Sequence, residues 1–173
     1  MIKGLLRVIA YILVCVTVQV TVFNHIHLFH VMTPFLYIYA IAKIPVGFTR
    51  IQVICMAFLT GLLVDIFSGT MGMHAATCTL VGLYRNPLMN AFTDKDSILE
   101  DASPSYRSLG TGAFMKYIFC LTLIHHITLY VIESISLFDL PYLLLRIASG
   151  TALTTLCIFV LEAFHPNRRS GKL

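Results

Sequence analysis

Long apolar runs separated by short polar breaks occupy almost the whole chain. The runs cover residues 4–23, 31–46, 51–67, 71–88, 111–138 and 142–164. Crossing the hydrocarbon of a bilayer takes about 20 apolar residues in a helix, so the pattern predicts six transmembrane helices in a single integral membrane domain, 1–173. The first run is too long for a signal peptide, and no small-x-small cleavage site follows it. The breaks carry their own signals. Asn24-His25-Ile26-His27 is polar without a basic residue, Gly47–Arg50 is a short link, and Ser68-Gly69 with Gly72 interrupts the third and fourth runs. Pro34 suits the first turn of a second helix. Asp139-Leu140-Pro141 predicts a tight turn with Pro141 opening the last helix. The one long polar segment, DKDSILEDASPSYRS at 94–108, predicts a solvated loop over about 93–110.

Composition agrees with lipid as the solvent. The chain is 58% apolar and 12% charged, against about 25% charged residues in soluble domains. A net charge of +4 suggests nucleic acid only until the charges are placed. With six spans, eleven of the twelve Lys and Arg residues fall on one side of the membrane, and the three opposite loops hold none. That distribution predicts cytoplasmic termini, a cytoplasmic 93–110 loop and no nucleic-acid partner. The exception, Arg146, lies inside a span. The five cysteines stand singly in apolar runs, with no CxxC spacing, and read as small buried hydrophobes rather than disulfide or metal ligands.

Ionisable groups inside spans are costly and mark candidate sites. The stretch GLLVDIFSGTMGMHA at 61–75 sets Asp65 at the end of an apolar run, before a glycine-rich turn and His74. Asp65 falls about 21 Å along its span, in the outer half of the bilayer. Glu133 and Arg146 flank the 139–141 turn, so a hairpin brings them to one depth, about 10 Å below the turn. A Glu133–Arg146 pair is expected, with Asp65 level with it and a charge partner close by. His126, Tyr130 and Glu133 share a helix face at i, i+4, i+7, with His125 about 100° round. Ser149-Gly150 and the Ala148/Ala152 pair give the sixth span a small-residue face that permits close helix approach.

Three readings of this cluster stand side by side: charges that fix helix register, an ion or small-molecule path, and an interface for a partner's helix. Catalysis has little support, because Ser68-Gly69 lacks a Gly-x-Ser-x-Gly context. His25, His27 and His30 form an HxHxxH string that matches no established zinc spacing. His74 is placed to cap the turn or line a pocket near Asp65.

The order Asp65-x-x-Ser68-Gly69-x-x-Gly72-x-His74 at the end of the third span resembles the central motif of the rod shape-determining MreD family. His125-His126, then Glu133-Ser134-Ile135-Ser136-Leu137-Phe138 and Leu145-Arg146-Ile147, resembles the form of MreD found in Bacteroidetes-type bacteria. The resemblance covers nearly the whole chain. It implies a non-catalytic, multi-pass component of the bacterial inner membrane, without cofactor or metal. Its partners would be a bitopic MreC-like protein and, through it, MreB filaments and the RodA–penicillin-binding-protein synthase that builds lateral peptidoglycan. The fold implied resembles the S components of energy-coupling-factor vitamin transporters, and a substrate-binding S component is the alternative function. S components carry Ala-x-x-x-Ala in their first span; here that span holds only Ala10.

Overall fold

A computed structural model describes residues 2–25, 33–93, 102–134 and 139–164, with the side chains of residues 2, 3 and 25 excepted. The elements are α1 (Ile2–Thr21) with a 3-10 turn at Phe23–His25, α2 (Ile38–Ala42), α3 (Arg50–Ser68), α4 (Met73–Phe92), α5 (Thr111–Glu133) and α6 (Leu140–Ala163). Four of them, α1, α3, α5 and α6, are long and apolar enough to cross a membrane, as expected of an all-α membrane protein. The run at 71–88, expected as a span, forms α4, which is of similar length but carries Arg85, Asn86, Pro87 and Asn90 and is not among the four.

Local sequence sets the starts of α3 and α6. Thr49 opens α3 with a reciprocal cap: its Oγ1 accepts from the Gln52 amide at 3.4 Å, and Gln52 Oε1 accepts from the Thr49 amide at 2.9 Å. Pro141 stands in the first turn of α6, as the sequence predicts, and Asp139 caps the helix by accepting from the Tyr142 amide. α3 and α4 pack antiparallel along their length. Gly61 lies against the His74 backbone and Gly82 against Ala57, leaving no room for a Cβ at either glycine.

α1 and α3 run in the same direction. Gly4 approaches Phe48 at their starts, and Asn24 Nδ2 donates to Ser68 Oγ at their far ends, 2.8 Å away. The chain between them must therefore return through the depth of the bundle, and residues 33–46 do so. At the far end the Leu36 amide donates to Gln19 Oε1. At the near end, where α1 and α3 begin, Lys43 meets Glu162. The expected second transmembrane helix at 31–46 is thus corrected: within the described part of that run only Ile38–Ala42, five residues, is helical.

Burial is the physical reason. Every residue from Pro34 to Val46 is buried, with α1, α3, α4 and α5 packed around α2. Backbone that is not helical is tolerated at membrane depth only where protein or a cavity surrounds it and supplies hydrogen bonds. Here side chains supply them. The Phe35 amide donates to Thr154 Oγ1, the Pro34 carbonyl accepts from Gln19 Nε2, the Ala42 carbonyl from Tyr117 and the Ile44 carbonyl from Arg85. Pro34 and Pro45, which lack an amide donor, bracket the segment.

Candidate functional site

At the far end, the 61–75 stretch forms a joint between α3 and α4. Gly69 and Gly72 adopt left-handed conformations, φ 68° and 78°, which cost little only for glycine. The first amides of α4 have no partners within their own helix, and Asp65, one helix earlier, supplies them. Its Oδ1 accepts from the His74 amide at 3.1 Å and the Thr70 hydroxyl at 2.5 Å, and its Oδ2 accepts from the Ala75 amide at 2.8 Å. The Asp65 carbonyl also accepts from the Thr70 amide. Both carboxylate oxygens are engaged, and the residue is 3% exposed. The expectation that Asp65 has a charge partner beside Glu133 and Arg146 is therefore corrected: hydrogen-bond donors of the following turn balance it.

Glu133 and Arg146 do pair. Arg146 Nη2 donates to both carboxylate oxygens, at 2.9 and 3.1 Å. The guanidinium also lies over the Tyr130 ring, 4.2 Å from its centroid, a favourable cation–π arrangement. The two side chains are 23% and 42% exposed, so the pair sits at a rim rather than in the core.

The rim belongs to a cavity of about 300 Å³ lined by Asn24, Thr33, Phe35, Ser68, Thr70, Met73, His74, Leu129, Tyr130, Glu133 and Arg146. Ser68, His74, Glu133 and Arg146, scattered over some 80 residues of sequence, meet on its wall. α3, α4, α5 and α6 contribute side chains from their far ends, with Asn24 of the 3-10 turn and Phe35 of the central segment alongside.

Behind the wall lies a chain of rings. Tyr37 is fully buried, and its hydroxyl sits 2.8 Å from His74 Nδ1 and 2.5 Å from His125 Nε2. A hydroxyl has one proton to give, so one imidazole accepts from Tyr37 while the other donates to it. Phe35 packs against His74, His125, His126 and Tyr130 with ring centroids 5.2–6.4 Å apart. His126 Nδ1 is 2.7 Å from the Thr122 carbonyl, which can only accept, so this nitrogen carries a proton. Opposite His126 is Gly150, where a Cβ would lie 2.6 Å from His126 Cδ2. The small-residue face of α6 is therefore divided: Gly150 faces α5, while Ala148 and Ala152 are exposed.

Two groups at the near end escaped the sequence reading, which used Lys43 and Arg85 only for topology and passed over Glu162. Lys43 and Glu162 form a buried ion pair at 2.8 Å, 5% and 3% exposed. Tyr39 donates to Glu162 Oε2 at 2.6 Å, and Lys43 lies over the Tyr39 and Phe114 rings. Arg85 is fully buried and donates to the Ile44 carbonyl and to Asn86 Oδ1. The signal available was a lone acid, Glu162, late in the last apolar run, which calls for a base at the same depth. His27, His30, Ile135, Ser136, Leu137, Phe138, residues 94–101 and the basic tail at 165–173 lie outside the described residues, as does the side chain of His25.

No protein-family model, curated protein or solved structure matches this chain.

Proposed function

We propose that this protein is a non-catalytic, MreD-type component of the bacterial cell-elongation complex. In this reading it sits in the inner membrane with both termini cytoplasmic, binds a bitopic MreC-like protein, and supports lateral peptidoglycan synthesis. The observation that carries the reading is the joint at 61–75. Asp65, Ser68, Gly69, Gly72 and His74, the residues of the resemblance, have hydrogen bonds or backbone conformations that set one helix against the next. Residues used in this way suit a scaffold whose shape is its function.

In this reading the partner's helix packs against α6. Leu145, Ala148, Ala152 and Leu156 are exposed and recur at helical spacing, and small residues allow a second helix to approach closely in lipid. Photo-crosslinkers at Ala148 and Ala152 in cells should capture an MreC-like protein. Capture only from the 93–110 loop would overturn the assignment of the face. Co-purification of a tightly held vitamin would overturn the scaffold in favour of the second reading, a transporter S component, which the far-end cavity favours.

A further inference from the structure

We infer that the far-end cavity binds a zwitterionic group, an ammonium joined by a short linker to a carboxylate or phosphate. Its volume, about 300 Å³, is at the lower end of small-molecule sites and leaves room for a headgroup or amino acid. The walls combine apolar surface from Phe35, Met73 and Leu129 with the charged pair Glu133–Arg146. Asp65 is buried behind the wall and is not a lining residue; its two oxygens already accept from Thr70, His74 and Ala75.

Among the described residues the pair retains unused capacity. Arg146 commits one nitrogen, Nη2, to Glu133, while a guanidinium carries five N–H donors. Glu133 accepts two bonds on about four lone-pair sites. The Tyr130 hydroxyl, on a side chain 1% exposed, lies beside Arg146 without a well-formed hydrogen bond of its own. With Nδ1 of His74 held by Tyr37, its Nε2 is the polar ring atom left for the cavity.

Charge selects the ligand class. A simple anion on Arg146 would lie beside Glu133, and a simple cation on Glu133 would lie beside Arg146. With the two side chains 2.9 Å apart, each attraction would be largely cancelled by the neighbouring repulsion. A zwitterion places its anion on Arg146, with Tyr130 or His74 as an extra donor, and its ammonium on Glu133. Two sources share this chemistry: the phosphoethanolamine headgroup of a membrane lipid, and a free amino acid. The inference stands on the cavity and is independent of partner binding.

The test uses the full chain in nanodiscs of phosphatidylglycerol, melted with sn-glycero-3-phosphoethanolamine, a mixture of neutral L-amino acids, ethanolamine or glycerol 3-phosphate. Native mass spectrometry scores phosphatidylethanolamine against phosphatidylglycerol. A zwitterion at a hundredfold excess over its Kd should raise the melting midpoint by roughly 5–10 °C, and the two singly charged probes should not. Preferential retention of phosphatidylethanolamine identifies the lipid as the source, and a shift with amino acids alone identifies the free ligand. Glu133→Gln and Arg146→Gln should each weaken binding at least tenfold. Tyr130→Phe, which keeps the ring packing, should weaken it severalfold. Absence of any zwitterion effect, equal binding of ethanolamine or glycerol 3-phosphate, or binding unchanged in all three variants overturns the proposal.

Discussion

Replacing Asp65 by alanine is expected to destabilise the protein by about 2–4 kcal/mol, more than the loss of a single helix cap. The carboxylate accepts from the Thr70 hydroxyl and from the first amides of α4 at His74 and Ala75. Loss of a helix cap alone costs about 0.5–2 kcal/mol. Hydrogen bonds to a charged group contribute about 1.5–3 kcal/mol each, but they are not additive, because the freed carboxylate would recover hydration in the unfolded reference. Asp65→Asn keeps an oxygen for one part of the set and turns an N–H toward a donor on the other, so about half the loss is expected. Thr70→Val removes only the hydroxyl and should cost about 1 kcal/mol. The chain has no tryptophan, so unfolding is best followed by thiol labelling read at Cys78, which is fully buried on α4. For a chain of this length the alanine variant should label at a midpoint roughly 4–16 °C lower. An Asp65→Ala midpoint within the roughly 0.5 kcal/mol typical of surface substitutions would refute the joint. So would a Thr70→Val loss equal to that of Asp65→Ala.

Other sites give separate expectations. Lys43→Met or Glu162→Gln alone should destabilise by about 3–5 kcal/mol, since each strands a buried charge, while the pair Lys43→Met with Glu162→Leu should recover most of that loss in the same labelling assay. Neutralising Glu133 or Arg146 should cost under about 1 kcal/mol, because that pair is partly exposed; a loss as large as that at Lys43 would contradict the rim placement. Gly61→Ala would drive a Cβ into the His74 carbonyl oxygen, forcing α3 and α4 apart at a cost of about 1–3 kcal/mol. A melt indistinguishable from wild type would show that the helices do not approach so closely.

The pattern of apolar runs was enough to place the long helices. Their ends follow from capping residues such as Thr49, Asp139 and Pro141, whose effects are local and hence legible. The Glu133–Arg146 pair was legible for a similar reason. A short turn places residues equally distant from it at one depth, and 13 positions separate the two.

Residues 33–46 mark the limit of such reading. An apolar run reports that a segment avoids water, not whether lipid or protein surrounds it. Only the packing of other helices around Tyr37, Ile38, Ile41 and Ile44, each fully buried, makes this run an internal strut instead of a fifth long apolar span. Its backbone depends on Gln19, Arg85, Tyr117 and Thr154, from four different helices, and no local spacing announces such partners. Asp65 was recognisable as special from its glycine-rich neighbourhood, yet its partners were not. Depth suggested a charge, whereas the nearest donors are amides of the next helix, and at hydrogen-bonding distance they satisfy the carboxylate without an ion. Thus the sequence by itself determined which segments leave water, where the chain turns and which residues cap those turns, because each depends on neighbours along the chain. Tertiary structure alone decided what surrounds the central segment, which charges pair at Lys43–Glu162 and that a cavity gathers Ser68, His74, Glu133 and Arg146, because each depends on contacts between helices remote in sequence.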